Sequence, residues 1–217
     1  MAVRKTRLVY VTSSKFKEAE CNVFLKKCKL DDGLSPGDYL DLTFRKHPVL
    51  QTLEVDIDQL VRRSVADAYS HIRVPCIVEY AGLIFEKYRK ESYPGGLTKK
   101  MWDSLGPQFL EETRAAGTRA TARAVVGYCD GKKIHSFVGE THGILSNKPR
   151  GRREFYWDTV FIPDTPDGKQ GTKTYAEIVA DRRKGLRYKM QELSQSARAM
   201  RQLIEYLKKQ TDCGLWR

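Results

Sequence analysis

The sequence is poor in the residues from which metal and disulfide centres are built. Its five cysteines, Cys21, Cys28, Cys76, Cys129 and Cys213, are odd in number and contain no C-x-x-C pair, which argues against a disulfide framework or a cysteine zinc site. The four histidines, His47, His71, His135 and His142, are scattered without ligand spacing. No apolar run approaches the roughly 18 residues of a membrane span, and the opening MAVRKTRLVYVTSS lacks the long apolar core of a signal peptide. That opening reads instead as a first strand. Acids are scarce beside bases, 27 Asp plus Glu against 39 Lys plus Arg, a formal net charge of +12. These absences point to an intracellular protein, expected in the cytoplasm. The basic surplus favours polyanionic partners such as nucleotides, nucleic acid or an acidic protein face; the same surplus also serves solubility alone.

What is present suits one domain or two lobes sharing a core: 217 residues with 41% hydrophobic content. RLVYVTSS (7–14) is an apolar, β-rich run ending in small hydroxyl residues. KFKEAECNVFLKKC then places Phe16, Ala19, Val23 and Phe24 on one helical face, capped by Ser13 or Ser14. Residues 31–48 read as irregular, with a strand at DYLDLTF. Residues 56–72 carry Ile57, Leu60, Val61, Val65 and Ala68 at helical spacing and lead into the strand CIVEY. TRATARAVVGYCDGKKIHSFVGETHGIL predicts a β-hairpin turning at Asp130-Gly131. From about Tyr175 the chain is helical, and Leu193, Ala197, Met200, Ile204 and Leu207 form an apolar stripe. Strands and helices are interspersed, so the class is α/β; the hairpin argues against a purely parallel doubly wound sheet.

Three stretches could carry chemistry. VTSSKFK is a strand running into a capped helix, where unpaired N–H groups and the positive dipole end converge with Lys15 and Lys17. It is equally well read as a plainly capped helix with solvated lysines. YPGGLTKK (93–100) is a glycine turn whose Lys99 or Lys100 could reach a phosphate. PRGRREFYWDTVFIPD (149–164) offers Phe155, Tyr156 and Trp157 as faces for a base, worth about 1–3 kcal/mol per stacked base, with Asp158 as an acceptor. Against that, Phe155 and Trp157 suit a core and Asp158 suits a turn cap.

In this order and spacing, VTSSKFKEAE, VEYAGLIF, YPGGLTKK, PRGRREFYWDTVFIPD and TYAEIVADRRKGLRYK resemble the inosine triphosphate pyrophosphatase family over about residues 7–193. The block FYWDTVFIPD is similar to the family's F-G-[WY]-D-P-x-F-x-P-[DE]. The resemblance implies an elongated mixed β-sheet flanked by helices, with two lobes and a nucleotide cleft between them. It also implies cleavage of ITP, dITP or XTP to the monophosphate and pyrophosphate, with Mg2+, in a homodimer. Matched residue by residue, Thr12 and Lys17 fall on the phosphate motif T-x-N-x-x-K, with Ser14 at its Asn. Glu79 falls on the first acid of E-D-[ST]-G-L, a catalytic acid and metal ligand, and Lys99 on a phosphate-contacting lysine. Phe155, Trp157 and Asp158 fall on the base-stacking and base-contacting positions. Arg187 falls on the arginine of K-N-x-x-S-H-R, with Arg182 and Arg183 as added charge at the base edge.

The departures fall on the acids. Tyr80 stands where the second acid of E-D would be, and a phenol with a pKa of about 10 is a poor base at neutral pH. The family's other metal-binding glutamate aligns near Val49-Leu50-Gln51, which holds no acid. The expected protein is therefore a binder of a deaminated purine nucleoside triphosphate, a sensor or regulatory subunit with an effector partner, in a setting such as nucleotide signalling or antiviral defence. The second reading is an active magnesium-dependent pyrophosphatase in which Glu54, Asp56 or Asp58 replaces the missing acids. A basic nucleic-acid binder is the reading these residues favour least. The expected organisation is a family domain over 1–193, then a helical extension and basic tail over 194–217 that is either a docking element or a helix packed on its own domain.

Overall fold

The computed structural model describes residues 5–47, 52–152, 156–182 and 185–210. Along β1 (Thr6–Val11) the residues Leu8 and Tyr10 enter one apolar cluster and Val9 and Val11 another. That is the period-two pattern of a strand covered on both faces. Ser14 caps α1 (Lys15–Lys27), and the single turn α2 (Pro36–Tyr39), opened by a Ser35–Asp38 capping box, delivers β2 (Leu40–Arg45) parallel to β1. Asp56 caps α3 (Ile57–Ile72), which returns the chain to β3 (Cys76–Phe85). Two short helices, α4 (Thr98–Leu105) and α5 (Phe109–Glu112), precede the hairpin of β4 (Arg119–Cys129) and β5 (Ile134–Leu145). At the hairpin turn, Asp130 Oδ1 accepts from the backbone N–H groups of Lys132 and Lys133, and Gly131 takes φ +94°. Then come β6 (Phe161–Pro163), α6 (Tyr175–Ala180), α7 (Gly185–Tyr188) and α8 (Gln195–Lys209).

The strands form one mixed sheet in the order β2-β1-β3-β4-β5-β6, parallel on the β1 side of β3 and antiparallel beyond it. The chain leaves β1 for β2 on one side, then returns past β1 to β3 on the other. The helices of these crossovers pack on opposite faces, α1 against Tyr10 and Ile77, α3 against Val11, Cys76 and Val78. Between the carboxyl ends of β1 and β3 the strand order reverses, the crevice where open α/β sheets take ligands. β1 pairs with β3 only at Val9 and Tyr10, so β3 runs on past it with a bare edge as far as Leu83, whose N–H meets Thr98 Oγ1 before Ile84 bridges Pro94.

Along one face of β3 lie two apolar clusters. The first gathers α1, α8 and Ile77; the second gathers Leu83, Phe85, Phe109, Trp157, Phe161 and Tyr175. Glu79 sits on that face between them, where the two expected lobes meet.

One expectation changes. The buried face of α1 is Cys21, Phe24 and Leu25 with Cys28, while Phe16 is 41% exposed and Ala19 is exposed. The cysteines pack there as small hydrophobes. Of the two alternatives for the segment after 193, the described part is a helix packed on its own domain: α8 lies against β4 and β5, with Ala197, Met200, Leu203 and Ile204 buried in the first cluster. Its apolar stripe is therefore covered by its own domain. A Cβ at Gly139 of β5 would stand 1.9 Å from the Gln195 carbonyl oxygen, so the close approach of α8 depends on glycine there. The tail beyond 210 lies outside the described residues. No helix among the described residues is long and apolar enough to cross a membrane.

Candidate functional site

The crevice begins where β1 stops. Thr12 Oγ1 accepts from Ser14 N at 3.1 Å, and Ser14 Oγ accepts from Lys17 N at 3.3 Å, which satisfies one donor of the first turn of α1. Lys15 is exposed. Lys17 turns back toward β3, its side chain only 19% exposed. Its Nζ donates to the Glu79 carbonyl oxygen at 2.5 Å and lies 3.9 Å from Glu79 Oε1. An ammonium thus fills the bare edge of β3 that β1 leaves behind.

Glu79 is buried, and both of its carboxylate oxygens are engaged. Tyr10 Oη donates to Oε2 and Ser196 Oγ to Oε1, each at 2.7 Å. Burial, then the facing Glu79 carboxylate, holds the Tyr10 hydroxyl well above the usual phenol range. The cavity beside this network, lined by Tyr10, Lys17, Glu20, Glu79 and Ser196 among others, measures about 10 Å3, about the space one water needs. Tyr80, one residue on, points to the opposite face and packs half-buried against Ile57, Val61 and Val125 under α3. Lys17 Nζ stands 5.6 Å from its ring centroid.

A second polar cluster lies in the same band. Lys189 is 1% exposed, and its Nζ donates to Asp158 Oδ2 at 2.5 Å and to Glu20 Oε1 at 2.7 Å. The same ammonium lies 4.5 Å from the Tyr175 ring centroid. Asp158 is 3% exposed, and its Oδ1 is buried without a hydrogen-bond partner among the described residues. Burial pushes its carboxyl up to about 6 against the pull of Lys189. Lys189 opens a π-helical turn (Lys189–Leu193), after which Ser194 caps α8 and Tyr175 Oη reaches Leu193 O and Gln195 Oε1, both at 3.0 Å.

The structure brings together Thr12, Ser14, Lys17 and Glu79 at one end of this band and holds Asp158 with Lys189 within it. Other expected residues stand elsewhere. Trp157 is 3% exposed and edge-on to Phe161 at 5.8 Å, so it is core and offers no open face. Lys99 pairs with Asp103 and lies 4.6 Å over the Tyr156 ring. Arg187 is exposed on α7, its Nε donating to Lys27 O at 3.1 Å, and Arg182 is exposed after α6. Phe155, Arg183 and Val49-Leu50-Gln51 lie outside the described residues.

Sequence reasoning passed over Tyr10, Glu20, Lys189 and Ser196. For the last two a signal existed: Lys189 precedes Ser194-Gln195-Ser196 by one residue more than K-N-x-x-S-H-R requires. The π-helical turn absorbs that extra residue, a feature such turns often bring to functional sites.

Magnesium needs several hard oxygen donors at about 2.0–2.1 Å in octahedral array. Among the described residues no three His, Cys, Asp or Glu side chains group to hold a metal ion. Glu79 spends both oxygens on hydroxyls beside an ammonium. The acids that could replace its missing neighbours are engaged locally. Asp56 caps α3, Asp58 pairs with Arg62 at 2.7 Å, and Glu54 faces Arg63 at 3.7 Å. Among the described residues, these side chains do not fit the ion.

A family model described as the Ham1 family matches residues 8–206. The chain is similar to a dITP/XTP pyrophosphatase of Hyperthermus butylicus, 26% identical over 93% of this chain and 94% of that one. It is also similar to an inosine triphosphate pyrophosphatase of Kluyveromyces lactis, 28% identical over 94% and 96%. Among solved structures, a HAM1 protein from Coxiella burnetii superposes with a TM-score of 0.63 at 17% identity, covering 94% of this chain and 99% of that one. That likeness concerns the fold.

Proposed function

This chain belongs to the Ham1 family, and we propose that it binds a deaminated purine nucleoside triphosphate of the dITP, ITP or XTP type while hydrolysing it little or not at all. The observation that carries the reading is the state of Glu79. Both oxygens of the one retained acid are closed by Tyr10 and Ser196, and the neighbouring position is a tyrosine packed under α3. That leaves Glu79 no free oxygen with which to activate water. The names of the relatives supply the ligand class, and the basic end of the crevice supports it.

In this reading the phosphates lie at the amino end of α1, near Thr12, Ser14, Lys15 and Lys17, with Lys99 reaching in once it leaves Asp103. The base edge meets Asp158 and Lys189. A 6-oxopurine presents an N1–H donor beside an O6 acceptor, whereas adenine presents an acceptor at N1 and a donor at N6. A carboxylate oxygen lacking a donor favours the first pattern. A buried acceptor left facing adenine N1 would cost about 1–3 kcal/mol. Holding a ligand without consuming it acts only by biasing a conformation that something else reads. The reading is therefore of a cytoplasmic sensor or regulatory subunit, a homodimer with an effector partner.

The test is calorimetric titration with dITP, ITP and dATP, alongside pyrophosphate release from dITP. Selective inosine-nucleotide binding without release supports the proposal. Rapid release would make the chain an active pyrophosphatase, as the names of its relatives would have it, and binding with no base preference would remove the role given to Asp158.

A further inference from the structure

We propose that this chain takes its triphosphate without a divalent cation, with the Lys17 ammonium supplying the charge at Glu79 that a metal ion would otherwise supply. The inference rests on the nucleotide reading above and says what that reading leaves open, the ionic form in which the ligand is held.

Three observations carry it. Lys17 Nζ already occupies the cation position: it bonds the Glu79 carbonyl oxygen at 2.5 Å and stands 3.9 Å from Oε1. A dication bound to that carboxylate would sit within a few ångströms of the ammonium and be repelled by it. Next, both carboxylate oxygens accept short bonds from buried hydroxyls of Tyr10 and Ser196. Ligation would strip a donor from a carboxylate that is 9% exposed and leave a buried hydroxyl without its acceptor. Last is the donor set. Magnesium takes hard oxygen ligands, often one or two carboxylates, and the residue beside Glu79 is Tyr80, packed under α3. Lys17 is held in place by features that do not involve a ligand, namely the Ser14 cap at its own backbone N–H and the ring of Tyr80 beside its Nζ. The Tyr80 ring, turned to the other face under α3, lies near enough to attract that ammonium.

The experiment is titration of the full chain with dITP in buffer containing excess Mg2+ and in buffer containing EDTA. The expected affinities agree within about threefold, under 1 kcal/mol. An affinity at least tenfold weaker in EDTA overturns the proposal. Absence of binding in both buffers overturns the nucleotide reading and this inference with it, so the two failures are distinguishable. Two variants sharpen the result. Glu79→Gln keeps an acceptor for a hydroxyl and removes a charge, so its dITP affinity in EDTA should equal or exceed that of the parent chain. If Mg2+ strengthens binding to the parent and this variant abolishes the gain, Glu79 is a metal ligand and the proposal fails. Lys17→Met should lose at least about tenfold in EDTA; an unchanged affinity there would show that the ammonium does not serve the ligand.

Discussion

Glu79 and Asp158 are two buried carboxylates in one polar band, and they are in opposite states. Glu79 has a hydroxyl on each oxygen and an ammonium 3.9 Å away. Asp158 has Lys189 on Oδ2 and nothing on Oδ1 among the described residues. A carboxylate whose acceptor sites are filled is part of the scaffold. One that keeps a buried site open incurs a desolvation cost that a ligand's donor relieves. In the proposed reading that contrast divides the work: Glu79, its acceptor sites filled, is scaffold, and Asp158 is the carboxylate left to accept from a base.

The largest effect should come from the Asp158 side. Lys189→Met leaves the buried Asp158 and the part-buried Glu20 without their cation, and should cost about 3–5 kcal/mol of stability in a denaturant titration. A loss below about 1 kcal/mol would mean that the cluster is not the buried ion network described here. Next is the base edge. Asp158→Asn should weaken dITP binding about tenfold to a hundredfold, with little change for dATP; equal losses for both would place the carboxylate outside base recognition. The same group sets a pH dependence. Its carboxyl is pushed up to about 6, so the charged acceptor is present above that pH and lost below it. dITP affinity should fall as pH drops from about 7 to 5, and a flat profile would contradict the assignment. Ser196→Ala, on the closed side, removes one of two hydroxyls from Glu79 and should cost about 1–2 kcal/mol with no gain in pyrophosphate release. Smallest of all, Lys99→Ala breaks a half-exposed pair with Asp103 and a contact with the Tyr156 ring and should change stability by about 0.5 kcal/mol or less.

What could be read in the residues was what is local. Asp130-Gly131 marks its hairpin because a φ of +94° suits Gly131, and Ser14 marks the start of α1 because a hydroxyl there meets Lys17 N. The apolar stripe of α8 marks a helix, but periodicity does not say what covers it, and β4 and β5 of the same chain do. The site depends on distant pairs. Tyr10 meets Glu79 across 69 positions, Ser196 meets it across 117, and Lys189 meets Glu20 across 169. No window of neighbouring residues carries such pairings. Arg187 lies exposed on α7 with its Nε donating to Lys27 O, 160 positions away, a pairing that motif spacing does not carry. Trp157 was legible as aromatic, but whether it faces a ligand or the core depends on Phe161 and Tyr175 packing against it.

Whether a closed Glu79 makes this chain a binder is decided by pyrophosphate release from dITP at saturating nucleotide with Mg2+ present. The nucleotide should be bound and recovered intact, with release no faster than in a protein-free control. Sustained multiple-turnover release from the parent chain would contradict that expectation, and would mean that Glu79 leaves Tyr10 and Ser196 to act.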